Sequence, residues 1–331
     1  MKVPIKVAAY AAGLAVVFAG ALGVGRIAGP APTPVGHEEG GHATSDTGHG
    51  SGGHEGAAVQ EVPGGLQVSQ EGYRLKPVSG TLATRALAPF AFRVLGPDGA
   101  PVTTYTPTHE KDLHLIVVRR DLSGFQHVHP RMGADGTWSI PLAVSAPGQY
   151  RVFADFQPAD RDKGLTLGVD LPAPGDYQPT PLPAPQRTAT VEGYTVNLDG
   201  DLVPGTDSKL TLSVSKDGRP VTDLQPYLGA YGHLVALRDG DLAYLHVHPD
   251  GSPGDGRTPA GPQITFYAQV PSTGAYRLYL DFQHAGAVRT AEFTAVAGGP
   301  APSTAPSASA PTGAPTATPT PGHGADGHTH N

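Results

Sequence analysis

Cysteine is absent from this chain of 331 residues, and methionine occurs only at Met1 and Met132. Without thiols there is no disulfide, no thiolate zinc site and no cysteine nucleophile. Without a methionine cluster a thioether Cu(I) site is excluded as well. Any metal must then bind through imidazole, carboxylate or backbone oxygen, which favours Zn(II), Cu(II) or Ni(II). Charge is also scarce, at 15% of residues with a net balance of −7. That balance argues against nucleic acid as a partner, since phosphates call for a basic patch. No Ser/His/Asp elbow, phosphate loop or pair of catalytic glutamates appears, and the expectation is a protein that is not an enzyme. Sustained helical periodicity is missing after the N-terminal apolar run.

Glycine (45), proline (35) and histidine (15) are abundant instead. Glycine and proline at this level fit short strands and turns joined by flexible linkers. At the N-terminus Lys2 and Lys6 precede an apolar run from Val7 to Gly25, closed by Arg26. Positive charge before an apolar segment long enough to span a bilayer places the rest of the chain outside the cytoplasmic membrane. Residues 1–28 read as a retained signal anchor, with a cleaved signal peptide as the alternative, so the chain meets the membrane through this segment. Residues 29–64 are a His/Gly-rich linker and 298–331 a Pro/Thr/Ala/His tail, both too poor in apolar residues to form a core and expected to be disordered.

Between them the chain repeats itself. EGYRL (Glu71 to Leu75) echoes EGYTV (Glu192 to Val196), PDGAPVT echoes KDGRPVT, and GQYRVFADFQP (Gly148 to Pro158) echoes GAYRLYLDFQH (Gly274 to His284). Two copies of this size mean duplicated globular domains, here 65–180 and 186–297, rather than a solenoid. Each holds short alternating or apolar runs separated by Gly, Pro and Asp-Gly turn signals. The expected fold class is all-β: two tandem immunoglobulin-like antiparallel β-sandwiches following an N-terminal hydrophobic helix. The second copy gains seven residues within DGSPGDGRTPAGP, which marks a surface loop.

The chemistry is concentrated in one repeated motif. DLHLIVVRRDLSGFQHVHP (Asp112 to Pro130) aligns without a gap on YGHLVALRDGDLAYLHVHP (Tyr231 to Pro249). His114 falls on His233, His127 on His246 and His129 on His248. Side chains alternate along a strand, so His127 and His129 share a face, as do His246 and His248. Asp239-Gly240 between apolar runs predicts a two-residue hairpin turn. That register sets Arg238 against Asp241 and His233 against His246, with Cβ atoms about 5 Å apart. Three imidazoles would then converge in each copy, a spacing suited to a Zn(II) or Cu(II) ion about 2.0–2.1 Å from each nitrogen.

The candidate metal ligands are therefore His114, His127, His129, His233, His246 and His248. Asp155 and Asp281, at matching places in the Tyr-Arg-x-x-x-Asp-Phe strand, are candidate carboxylate ligands, though a salt bridge or turn bond is the leading reading for both. His109 has no counterpart in the second copy, and His284 aligns with Pro158. Phe125 and Tyr244 read as packing residues. His37, His42, His49, His54, His323, His328 and His330, in the linker and tail, are flexible groups able to capture metal with little selectivity. A cupin-like enzyme would need a carboxylate shortly after the His-x-His pair. HVHPRMGADG has no glutamate, and in HVHPDGSPGDG only Asp250 stands close behind the pair.

The segments around these histidines resemble a family of secreted or membrane-anchored actinobacterial proteins with duplicated His-x-His-Pro domains. Their plan is similar to extracytoplasmic β-sandwiches of the YtkA-like and copper-resistance type. The resemblance implies an immunoglobulin-like fold and metal handling. The N-terminal histidine or methionine clusters often found in copper-resistance sandwiches are not present here, which leaves Cu(II) or Zn(II). The functional expectation is an extracytoplasmic copper or zinc carrier or buffer. The alternative is a surface module that scaffolds another extracytoplasmic protein, with structural histidines.

Overall fold

The computed structural model describes residues 62–298, so the N-terminal segment, most of the linker, the C-terminal tail and their histidines lie outside the described residues. No helix among the described residues is long and apolar enough to cross a membrane. The described chain is built of antiparallel strands arranged as two sandwiches in tandem.

In the first repeat, one sheet runs β1 (Ser69–Gln70), β2 (Tyr73–Pro77), β3 (Ala88–Leu95), β7 (Thr137–Leu142), β6 (Arg131–Met132). The facing sheet runs β5 (Gln126–Val128), β4 (Leu113–Arg119), β8 (Gly148–Phe156), β9 (Leu165–Ala173). In the second repeat, one sheet runs β10 (Thr188–Val191), β11 (Tyr194–Asp199), β12 (Asp207–Lys216), β16 (Gln263–Gln269), β15 (Val247–Pro249), with β13 (Arg219–Pro220) paired to β12. The facing sheet runs β14 (His233–Arg238), β17 (Gly274–His284), β18 (Ala287–Ala297).

The alternation written into the sequence fills each core. Phe90, Phe92 and Val94 of β3 point inward against Leu113, Leu115 and Val117 of β4. Leu210, Leu212 and Val214 of β12 do the same against Leu234 and Ala236 of β14. Each such side chain, fully buried, contributes about 1.5–3 kcal/mol of apolar transfer.

One strand departs from alternation, and the departure explains the architecture. All seven residues of β4 are buried. Its second face, carrying Ile116 and Val118, packs with Leu122 and Phe153 against Val235, Leu237, Leu242 and Tyr279 of the other repeat. The sandwiches are thus joined through a third apolar cluster. Phe125 stacks on Tyr279 with ring centroids 3.9 Å apart, and the Tyr279 hydroxyl donates to the Leu122 carbonyl at 2.6 Å. Phe125 and Tyr244, expected as packing residues, both border this cluster.

The end of the expected linker belongs to the fold as well. Gly64 bridges Tyr244 of the second repeat, and the Gly65 amide donates to Thr166 of the first. Gly65 has φ +74, and a Cβ there would stand 2.4 Å from the Phe153 ring, so only glycine fits.

The predicted two-residue hairpin does not form. Leu237, rather than Val235, bridges Tyr244, and the Arg238 amide donates to the Ala243 carbonyl, enclosing a four-residue loop from Asp239 to Leu242. Arg238 still pairs with Asp241, because the loop turns the carboxylate back onto the guanidinium and the Ala243 amide. The hairpin register is thereby shifted by two, so His233 does not face His246, and on its other edge it lies opposite Asp281 of β17.

Candidate metal centre

His114 sits in β4 on the face that meets the second repeat, and it is 2% exposed. Across the β4–β5 ladder Ile116 faces His127 and Leu115 faces Val128. The next step along that ladder brings His129 beside His114. The register differs by two positions from the one predicted. An even shift preserves the face, so the three imidazoles still converge.

Their ligand atoms all lie within 4.8 Å of one another. His114 Nδ1 is 3.0 Å from His127 Nε2 and 3.1 Å from His129 Nε2. The outer nitrogens fix the protons. His114 Nε2 lies 2.9 Å from the Thr108 carbonyl, and His127 Nδ1 lies 2.9 Å from Asp281 Oδ2. A carbonyl and a carboxylate can only accept, so those two nitrogens carry hydrogens. The neutral His114 ring then has its lone pair on Nδ1, which faces both His127 Nε2 and His129 Nε2.

Burial first, and then the neighbouring imidazoles, push His129 down to about 3. Burial likewise pushes His114 down to about 4. His109 and His233 are lowered by burial too, with the other imidazoles adding to it. His114 and His129 are thus neutral near pH 7, the state in which imidazole binds a metal.

Residues from the second repeat complete the surroundings. Asp281, on β17, reaches across the junction to His127, and both side chains are nearly sealed, at 5% and 2% exposure. Its other oxygen accepts from the Thr290 hydroxyl at 2.6 Å. The matching Asp155 lies opposite His114 in the ladder and accepts from Thr166 at 2.8 Å. His233 stands beside the group, with ring centroids 5.5 Å from His114 and 5.4 Å from His127, and its buried Nε2 has no hydrogen-bond partner. His109, on a loop at φ 50, packs edge-on against His233 at 4.6 Å.

The remaining sequence candidates are placed elsewhere. His246 and His248 are exposed and pack against each other, ring centroids 4.0 Å apart, where the chain has crossed to the opposite sheet: Gln269 donates to the His246 carbonyl, and His248 faces Tyr267 in the β15–β16 ladder. Among the described residues no second three-histidine group forms around His233, His246 and His248. The expectation of one site in each repeat gives way to one cluster at the junction. His284 is held by the Tyr194 hydroxyl and Asp223. The cross-repeat roles of Asp281 and His233 carry no signal in local spacing, because docking of the two sandwiches creates them, whereas the Thr108 carbonyl comes from the loop just before β4 in the same repeat.

The donor set fits a borderline cation. Three neutral imidazoles suit Zn(II) or Cu(II), and two ligand nitrogens on a tetrahedral ion at such bond lengths stand about 3.3 Å apart. The observed 3.0 and 3.1 Å are close to that. The carboxylate behind His127 is the arrangement that orients metal-bound histidines.

Comparison with solved structures finds similarity to the Yersinia pseudotuberculosis adhesin InvE, at 12% identity over 70% of this chain and 60% of that one, with a TM-score of 0.20. Invasin, a bacterial integrin-binding protein, matches at 14% identity over 67% of this chain and 39% of that one, with a TM-score of 0.21. The chain thus spans less than two thirds of either, and at such TM-scores the likeness carries no argument about function. A search of the curated proteins finds no match. A family model described as a domain of unknown function (DUF8832) matches residues 67–177 and again 189–299, and the chain belongs to that family as a tandem pair.

Proposed function

We propose that this protein is an extracytoplasmic metal-binding protein, a carrier or buffer, that holds one Zn(II) or Cu(II) ion on His114, His127 and His129. The observation that carries the reading is the 3.0 Å approach of His114 Nδ1 to His127 Nε2 while the outer nitrogens of both rings face obligate acceptors. The three inner nitrogens thus converge on one point while the outer ones are already engaged. A metal ion would be coordinated there without moving either outer hydrogen bond.

The protein's own residues do three things. Thr108 and Asp281 orient the rings of His114 and His127, β4 and β5 set the spacing, and the junction keeps the rings dry. The ion would supply only binding energy, with no reaction assigned. Placement outside the cytoplasmic membrane rests on Lys2, Lys6 and the apolar run that follows. The sequence resemblance to YtkA-like and copper-resistance domains points the same way and leaves Cu(II) and Zn(II) both open.

A second reading, an interaction scaffold with structural histidines, draws on the same His127–Asp281 contact, which joins the repeats without any metal. The two separate cleanly. The full chain is titrated with Zn(II) and Cu(II) against a competing chelator, beside a variant carrying His114→Ala, His127→Ala and His129→Ala. The metal reading expects the variant to lose one tight equivalent. Equal tight binding by both would assign the histidines to structure.

A further inference from the structure

The three-histidine set leaves a tetrahedral ion one ligand short, and the second repeat has an imidazole beside the opening. We infer that His233 supplies the fourth nitrogen, so that the ion is shared between the repeats and clamps them together. This rests on the metal reading above and adds to it the identity of the last ligand and a mechanical consequence.

Two independent observations carry the inference. The first is spacing. Within the triad the ring centroids are 5.0, 5.0 and 5.3 Å apart, and His233 stands 5.5 and 5.4 Å from His114 and His127. Imidazoles sharing one tetrahedral ion have centroids about 5 Å apart. The second is His233 Nε2, which is enclosed and has no hydrogen-bond partner, although buried polar atoms are nearly always satisfied. Ligation accounts for an atom that no protein group satisfies. His233 is not within the 4.8 Å group formed by the triad, so its side chain must swing toward the ion when the metal binds.

The register explains why this residue and not its neighbours. His233 begins β14, whose next outward-facing residues, Val235 and Leu237, are buried in the junction. It therefore projects from the second repeat toward the face of β4 that carries His114. Asp281, directly opposite His233 in the β14–β17 ladder, already bonds His127. The second repeat would thus contribute both a ligand and the group that orients a ligand. An ion bound this way ties four strands of two domains, and its loading would make the repeats unfold as one unit.

The test uses the full chain with Zn(II) and Co(II) as probes, comparing the native sequence with His233→Ala, His233→Gln and the triple triad variant. Histidines outside the described residues are the same in every protein and cancel in the comparison. The expected result is that both His233 variants retain the tight equivalent but bind it at least about tenfold more weakly, since even outer-shell losses cost that much. Their Co(II) visible bands should also lose the intensity of a four-nitrogen tetrahedral ion. Unchanged affinity and spectrum, with the native equivalent present, would overturn this inference and leave the three-histidine reading standing. A native chain that binds no more tightly than the triple variant would overturn both. Should either substitution unfold the metal-free protein, X-ray absorption of the native Zn(II) form decides: four imidazoles support the clamp and three refute it.

Discussion

The two repeats carry the same histidines in the same order, yet the first draws its His-x-His pair into the junction and the second turns its pair outward. Both use the same two ladders. In the first repeat the chain stays with β4 through Val128 and joins β7 only at Arg131. In the second, Tyr244 bridges Leu237 on the corresponding ladder, but by Val247 the chain has already joined β16. The crossover comes a few residues earlier, and His246 leaves with it. The adjoining residue supplies a reason. Leu245 is 1% exposed in the core of the second sandwich, whereas its counterpart Gln126 is half-buried and donates to the Ala143 carbonyl. An apolar side chain pulls the strand down into the core at the point where the polar one lets it run on. Duplication therefore copies ligands more faithfully than it copies a site.

The largest way to break this comparison is to change the residue that sets the crossover. Leu245→Gln should destabilise the second repeat by about 2–5 kcal/mol, the range for losing a large buried aliphatic side chain. Gln126→Leu should lower metal affinity by drawing His127 toward the other sheet. Chemical denaturation and chelator competition, respectively, measure the two.

The matched carboxylates offer a sharper contrast. Asp281→Asn should weaken the site about 10- to 100-fold, because it removes the acceptor that fixes His127. Asp155→Asn, where the carboxylate bonds Thr166 rather than a triad histidine, should change affinity far less. Equal losses in both would mean that the local field, and not orientation of His127, governs binding.

A smaller effect separates the repeats by pH. The folded state holds His114 near 4 and His129 near 3, against about 6.5 for an unfolded imidazole. Below about pH 6.5 the unfolded chain binds more protons, so stability of the metal-free protein should fall as pH drops toward 4. The triple triad variant should lose the share of that slope due to His114 and His129 and keep the share due to His109 and His233, and His246→Ala with His248→Ala should leave both the slope and the tight metal equivalent nearly unchanged. Thermal melts across this pH range, paired with metal titration, follow both.

Much of this was readable from residues alone, for definite reasons. Alternation in FAFRVL and turn signals such as Asp-Gly report local geometry, so two tandem sandwiches follow from the sequence. The gapless alignment marked His114, His127 and His129 as a set, and face parity survived a register error because the error was even. What the sequence could not carry was the junction. The burial of β4 on both faces hints at it, since LHLIVV is apolar without alternation, but nothing local says which surface covers the second face. Asp281 was therefore readable only as a candidate ligand for its own repeat, and His233 only as a partner for His246.

The central claim is that one ion sits at the junction on His114, His127 and His129. Anomalous diffraction from crystals of the Zn(II)-loaded protein tests it most directly. The account predicts a single strong peak within about 2.0–2.1 Å of those three nitrogens, with Asp281 still bonded to His127. A peak at His246 and His248 alone, or none at the triad, would contradict it.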